Sequence, residues 1–289
     1  MATHIKLILL VTPLLLQGYL GYCQDASTPV APWFVERYKI SAGVFIPISE
    51  TNIRVSGNSG TIGTDLDLED DLGFEKSTTT FVAELQWRAW RRSRFDLKYF
   101  FLNRDVSKTL DEEIIFGDET YPVNTEIDAF FETKIYRFSY GYAVLAKPRY
   151  ELGLMIGTHV VETGTGLTVV GTNVGGTASS DFDFTAPLPD LGIWGGYAIS
   201  DRVAVNGELG YLSLKVDETD GRITTYNIAV TYKPIEHLHL ALAYTGLNFR
   251  VDVTRNTLEG HLKWGYNGPS FAATYAFGKR PWSTSKIKN

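Results

Sequence analysis

From Tyr38 to Phe277 the chain repeats one pattern: apolar residues alternate with polar or small ones, and no stretch carries a convincing helical period. A period of two is the spacing of a β-strand whose two faces differ. The clearest run is 79–90, where Phe81, Ala83, Leu85, Trp87 and Ala89 share one face and Val82, Glu84, Gln86 and Arg88 the other. The same division recurs over 38–46, 95–101, 136–144, 150–159, 190–199, 203–211, 226–232, 238–245 and 271–277. One face is apolar throughout, and the other holds Gly, small residues and charges.

Alternation alone fits a soluble sandwich, whose two sheets turn apolar faces towards each other, as well as a barrel with apolar residues outside. Three features favour the barrel. Tyr150, Tyr211, Tyr232 and Tyr244 stand near strand ends, where interfacial girdles form. The polar faces are rich in Gly and Ala, which suits a crowded interior. Connections alternate in length: tight turns at 91–94, 146–149, 200–201 and 234–237 separate longer segments near 48–78, 107–127, 164–183, 217–221 and 251–257. Four short turns and five longer connections predict a closed, antiparallel, up-and-down transmembrane β-barrel of about ten strands over 35–278, with eight or twelve still open. A mean hydropathy of −0.07 with 13% aromatic residues agrees, because only alternate residues would face lipid. The apolar parity changes near Asn267-Gly268-Pro269, which reads as a bulge in one strand or a turn between two.

Residues 1–23 read as a cleavable signal peptide. The apolar run 7–16 is too short to cross a hydrocarbon layer of roughly 30 Å as a helix. Gly21 and Cys23 supply small residues before Gln24, and Tyr22 argues against lipidation of Cys23. Cleavage after Cys23 removes the sole cysteine, and with it any disulfide framework or thiol nucleophile. Residues 24–34 read as a flexible lead and 279–289 as a tail. The net charge of −6 argues against nucleic acid. The basic run Arg91-Arg92-Ser93-Arg94 reads as a solvated turn.

With its terminal Phe271-Ala272-Ala273-Thr274-Tyr275-Ala276-Phe277 strand and its acidic Leu68-Glu69-Asp70-Asp71-Leu72-Gly73 segment, the chain resembles the small monomeric outer-membrane β-barrels of Gram-negative bacteria, the OmpA-type and OmpW-type class. The resemblance implies an outer-membrane location, contact with lipid and lipopolysaccharide, recognition by the barrel assembly machinery, and a monomer. It departs from the pattern in that residues 278–289 follow the terminal aromatic.

Parity places Glu84, Arg88, Asp96, Lys98, Arg137, Glu151, His159, Asp190, Glu208 and His239 inside the barrel. Buried charges must pair or stay hydrated, so this set either plugs the lumen with salt bridges or lines a path for small solutes. Asp65, Asp67, Glu69, Asp70 and Asp71 offer oxygen ligands that suit Ca²⁺, though without EF-hand spacing. His159, with Thr158, Glu162 and Thr163 nearby, is the nearest approach to a catalytic set, and it lacks a triad-like arrangement. No cofactor, phosphate loop or Cys/His metal cluster is expected. The expected role is structural and surface-exposed. A porin-like narrow passive channel, an adhesin binding host surface ligands through its long loops, and a lipid- or peptide-modifying enzyme are the alternatives.

Overall fold

The structure, a computed structural model, describes residues 30–57, 62–170, 179–216, 219–255 and 258–284. The expected signal peptide and residues 24–29 of the lead lie outside them. Ten long strands form the wall: β1 Tyr38–Phe45, β2 Thr80–Arg88, β3 Ser93–Thr109, β4 Glu126–Ala146, β5 Tyr150–Val169, β6 Ser179–Ala198, β7 Val203–Val216, β8 Thr219–Ile235, β9 Leu238–Arg255 and β10 Leu258–Phe277. Each pairs antiparallel with the next, and β10 pairs back onto β1, so the sheet is closed. The expected barrel of ten strands is the one observed.

The outward faces match the alternation. Leu85, Leu97, Phe138, Leu154, Ile193, Leu209, Ile228, Leu242 and Phe271 are all exposed. A continuous apolar outer band on a closed sheet is stable only against lipid, and closure leaves no backbone edge unpaired there.

The strands are longer than a crossing needs. β4, β5, β6 and β10 run to 20 or 21 residues, against roughly 9–11 for a tilted transmembrane strand. Their loop-side halves reverse polarity. On β4, Tyr136, Phe138, Tyr142 and Val144 face outward, whereas nearer the loop end Ile127, Ala129, Phe131 and Ile135 are buried and Glu126, Asp128, Glu132 and Lys134 are exposed. On β9, Leu242 and Tyr244 give way to inward Leu247 and Phe249. β10 explains the parity change at Asn267-Gly268-Pro269. It is one strand with unbroken alternation, Leu262, Trp264 and Tyr266 inward and Phe271 and Tyr275 outward. What changes is which face is apolar.

At the same level β1 is interrupted at Pro47, and Ile48–Val55 continues the wall against the outer half of β10. The Ile46 amide donates to the Pro269 carbonyl at 3.0 Å. Gly268 permits this approach, since a Cβ there would run into the Ile46 carbonyl oxygen.

Segments expected as surface loops instead fill the barrel. Of 48–78, the first part is wall, and Leu66–Asp67 pairs with it. Of 107–127, Ile114–Phe116 and Glu119–Tyr121 form a small hairpin. Leu66, Leu68, Leu72 and Phe74 from the first segment, with Leu110, Ile114, Phe116 and Tyr121 from the second, pack against Phe100, Leu102, Phe131, Val161, Leu247, Phe249 and Trp264 of the wall. The outer half therefore has an ordinary apolar core.

The opposite mouth is closed by both chain ends. Ala31, Trp33, Phe34 and Val35 cluster with Ala198, Ala204 and Trp282. Val30–Ala31 pairs in parallel with Ser283–Thr284. Trp33 Nε1 donates to Ser200 O at 2.8 Å, Trp282 Nε1 donates to Val35 O at 3.1 Å, and Arg280 pairs with Glu36 at 3.1 Å. Burial pushes the Glu36 carboxyl up, against the pull of Arg280. The expectation of a flexible lead over 24–34 and a free tail over 279–289 is thus corrected for 30–34 and 279–284. Each segment carries aromatics that find apolar cover only against the other and the strand ends.

Truncation of the outer core is expected to be costly. Phe131→Ala should destabilise the barrel by about 3–5 kcal/mol, while Asp128→Ala, on the exposed face of the same strand, should change stability little. Urea unfolding of the refolded barrel in vesicles measures both.

Candidate functional site

The inward positions of β2 to β7 meet in the membrane half of the lumen. Arg88 reaches Glu151 at 2.6 Å, and Arg91 reaches the same carboxylate at 2.9 Å. Glu208 is the hub of a second group, taking Arg94, Arg137 at 2.9 Å and Lys98 at 3.3 Å. Arg94 also pairs with Asp96 at 3.1 Å, Lys98 faces Glu84 at 3.5 Å, and Arg137 faces Asp190 at 3.6 Å. Gln86 donates to Asp96. The Trp194 ring joins the two groups, with Arg94 at 3.8 Å and Arg88 at 5.4 Å from its centroid. Glycines make room for it: a Cβ at Gly141 or Gly153 would come within 2.7 Å of the indole nitrogen.

Among the described residues of this cluster, five cations (Arg88, Arg91, Arg94, Lys98 and Arg137) meet five carboxylates (Glu84, Asp96, Glu151, Asp190 and Glu208). Formal charge cancels within these pairs, and Lys39 of β1 lines the same lumen as a further cation. A selectivity filter carries rings of one sign or of carbonyl dipoles, whereas paired opposite charges cross-brace strands. The facing wall, from β1, β8, β9 and β10, is built from small residues such as Ser41, Ala229, Ala241, Ala243, Ala272 and Thr274. The charged side chains do not fill the gap completely. Cavities of about 220 and 150 Å³ remain between the two walls. Phe45, Phe100, Leu247 and Tyr266 roof the first, and Phe34 and His239 border the second.

No family model matches the chain, and no curated protein does. Solved structures do. The chain is similar to the outer membrane protease OmpT of Escherichia coli at a TM-score of 0.51 and 12% identity, with 83% of this chain and 97% of that one covered. It also matches a FadL homologue of Pseudomonas aeruginosa (TM-score 0.37, 11% identity, 87% and 93% covered) and Ail, the attachment invasion locus protein of Yersinia pestis (0.31, 8%, 81% and 99%). The chain has the fold of an outer-membrane β-barrel. At such identities the likeness reaches the fold alone, and the expected OmpA-type and OmpW-type resemblance widens to outer-membrane barrels as a class.

Of the ten inward residues expected in this outer-membrane barrel, nine join the network. His159 does so through Asp190, at 3.6 Å. His239 sits apart, its ring 5.2 Å from that of Trp33 at the plugged mouth. Arg91 and Arg94 were expected in a solvated turn. Instead Arg91 binds Glu151, and Arg94 is buried on β3. The overlooked signal was parity, since Arg94 shares the face of Asp96 and Lys98.

The carboxylates of the acidic loop, proposed from the sequence as Ca²⁺ ligands, each have a partner within the protein. Asp65 pairs with Arg54, and Asp70 pairs with Lys76 at 2.9 Å. Asp67 accepts the amides of Glu69 and Asp70 at 3.1 and 2.9 Å, and Asp71 accepts the Asp67 amide at 2.7 Å. Glu69 is buried against Arg104 and accepts the Thr51 amide at 2.7 Å. Among the described residues, no group of three or more His, Cys, Asp or Glu could hold a metal. Nor does the His159 set assemble: His159 points inward, Glu162 stands on the outward parity of the same strand, and the Thr163 hydroxyl is engaged with Thr133 at 2.8 Å.

Removing the hub is expected to cost more than removing a spoke. Glu208→Gln leaves Arg94, Lys98 and Arg137 short of a counter-charge and should destabilise the barrel by about 3–5 kcal/mol. Glu84→Gln, whose single partner Lys98 keeps Glu208 at 3.3 Å, should cost less. Chemical unfolding of the two variants in one lipid system compares them.

Proposed function

We propose that the chain is exported to the outer membrane and serves there as a structural, surface-exposed barrel with a lumen held closed, rather than as a passive channel. One observation carries this reading: three successive layers occupy the lumen. Apolar side chains from the first two long connections fill the outer half. A network of paired opposite charges braces the membrane half. An aromatic cluster from both chain ends covers the remaining mouth. Rigid bracing and folded-in loops suit a protein whose task is to hold a surface in place. The adhesin reading loses much of its support, because Leu66, Leu68, Leu72, Phe74, Leu110, Ile114, Phe116 and Tyr121 of the first two long connections are spent inside the barrel. No catalytic set supports the enzyme reading.

The channel reading retains one specific observation, the residual cavities along the small-residue wall. Conduction along them needs both closures to move. Planar-bilayer recording separates the two. The intact barrel is expected to give no reproducible conductance steps, and a variant lacking residues 24–36 is expected to stay silent, because the outer core remains. Reproducible steps from the intact protein would establish the channel and end the closed-barrel reading.

A further inference from the structure

Beyond Phe45 the wall carries two strand edges that face each other across a gap. The pairing of β2 with β3 ends where Val82 lies opposite Phe100. β3 runs on to Thr109, still paired with β4 on its other side. Ile48–Val55 resumes the wall from the β10 side and does not pair with β3.

The two edges differ. Along Ile48–Val55 the backbone groups turned to the gap are taken up. The Ser49 amide donates to Lys76 O at 2.7 Å, and the Thr51 amide donates to Glu69 at 2.7 Å. Thr51 O accepts the Leu68 amide at 3.0 Å, and Val55 O accepts the Gly117 amide at 3.0 Å.

On β3 the direction of each backbone group follows from its hairpin. The Ser93 amide donates to Trp90 O at 3.2 Å, so odd-numbered residues turn their amides and carbonyls towards β2. Arg92 O accepts the Ala143 amide at 2.7 Å and the Leu110 amide donates to Thr125 O at 2.9 Å, so even-numbered positions face β4. The register with β4 runs without a shift between these points. Phe101 O still has a partner in the Thr80 hydroxyl. Past it, the amides and carbonyls of Asn103, Asp105 and Ser107 point into the gap, and among the described residues they meet no partner there.

The gap is tied on its inner side. Arg104 pairs with Glu69 and donates to Thr51 at 2.7 Å, and Lys108 donates to Asp71 O at 2.7 Å. The side chains of Asn103, Asp105 and Ser107 are exposed. Tyr99 lies opposite Tyr136, at the upper edge of the apolar band. Asp105 stands six residues further along β3. At about 3.3 Å per residue and a tilt of 35–45°, that is roughly 15 Å higher, in water.

An unpaired edge is a template for another strand, and proteins commonly blunt it with a proline, a bulge or an unpaired inward charge. Residues 103–107 carry no proline or bulge, and the inward Arg104 is already neutralised by Glu69. The outward surface beside the edge is acidic. Asp105 is on it, Asn103 lies opposite Glu132, and Ser107 lies opposite Asp128. Across the gap Glu75 is exposed and Asp70 is paired with Lys76 at 2.9 Å.

We propose that the Asn103–Ser107 edge of β3 accepts an extended, cationic peptide segment of a water-soluble partner as an added strand. Main-chain hydrogen bonds supply the affinity of such a pairing, and alternate side chains supply its selectivity. A second copy of the barrel is a poor occupant, because it brings its own Asp105 and acidic β4 row to the same edge. The edge lies outside the lumen, so the proposal stands apart from the closed-barrel reading.

Residue-resolved hydrogen exchange by NMR on the refolded barrel in neutral detergent tests it. In the free barrel the amides of Asn103, Asp105 and Ser107 are expected to exchange fast, and those of Leu102, Arg104 and Val106, paired with β4, slowly. The probe is a capped seven-residue peptide of alternating lysine and valine. At saturation it should slow the three odd-numbered amides at least about tenfold, as main-chain pairing requires, and leave the even-numbered ones unchanged. The same peptide with proline at its centre keeps its charge but cannot complete a ladder; it should bind at least about tenfold more weakly. Asp105→Asn should weaken the lysine peptide by up to about fivefold. Asp105→Pro removes an amide that the ladder with β4 does not use, so the barrel should fold and lose the peptide. Slow exchange of the three amides in the free barrel, no slowing by the peptide, or equal binding of its proline version would overturn the proposal. Should Asp105→Pro fail to fold, the wild-type exchange and the two peptides decide.

Discussion

The closure of β10 onto β1 is the interaction on which the rest depends. In hydrocarbon every backbone amide and carbonyl needs a partner within the protein, so a sheet spans a membrane only as a closed cylinder. This seam is also where the ladder is most interrupted. Pro47 and Pro269 each lack a donor, and β1 breaks between Phe45 and Ile48. Closure survives because the break is bridged rather than left open. The Ile46 amide reaches the Pro269 carbonyl, and Ile48–Val55 resumes pairing with Gly260–Asn267. β2 starts only at Thr80, opposite Phe45, so it adds no wall beyond the break. That releases the chain between Val55 and Thr80 to turn inward and supply Leu66, Leu68, Leu72 and Phe74 to the core.

A second constraint follows from the medium outside the cylinder. Where lipid surrounds the wall, apolar side chains gain nothing by pointing inward, and the lumen is left to residues that must satisfy one another. Above the lipid, water returns to the outer face, and the same alternation works in reverse. The inward positions become the apolar ones, and they need partners to pack against. The two folded-in connections are those partners. Tyr136, Tyr226 and Tyr244 stand close to the level where the two regimes meet.

This explains what could be read from the residues and what could not. The outward faces of the lower half, the short turns and the strand number were legible, because a period of two with aromatic ends reports a strand in lipid whichever strand it pairs with. The nine network residues were legible from the same parity. The reversal on β10 was visible as a parity change, yet a period of two does not say which face is inside, so Asn267-Gly268-Pro269 read as a bulge or a turn. Arg94 was lost because three basic residues in four outweighed its alternation with Asp96. The terminal clusters were not legible at all. Trp33, Phe34 and Trp282 belong to no repeat, and their cover comes from a segment more than two hundred residues distant in the chain. The pairing of the acidic loop was not legible for a related reason: composition shows five carboxylates close in sequence, whereas their partners include Arg54, Lys76 and Arg104.

The lumen network follows from the difference in size between its two walls. β2 to β7 present Arg, Lys, Glu and Trp, while β8, β9, β10 and β1 present mainly Ala, Ser and Thr, with Lys39, Asn227 and His239 the larger exceptions. Long charged side chains lose entropy when fixed, and charges withdrawn from water lose hydration. The arrangement limits both losses. Each cation in the ion-paired groups reaches a carboxylate on another element, and Glu208 collects three cations drawn from two strands, β3 and β4. The small wall leaves room beside the charges, so the lumen need not be fully dry for the pairs to hold. A barrel of ten strands is wider than one that side chains fill unaided. Bracing from one side, with small residues on the other and separate closures at both ends, is how this sequence meets that extra width without opening a pore.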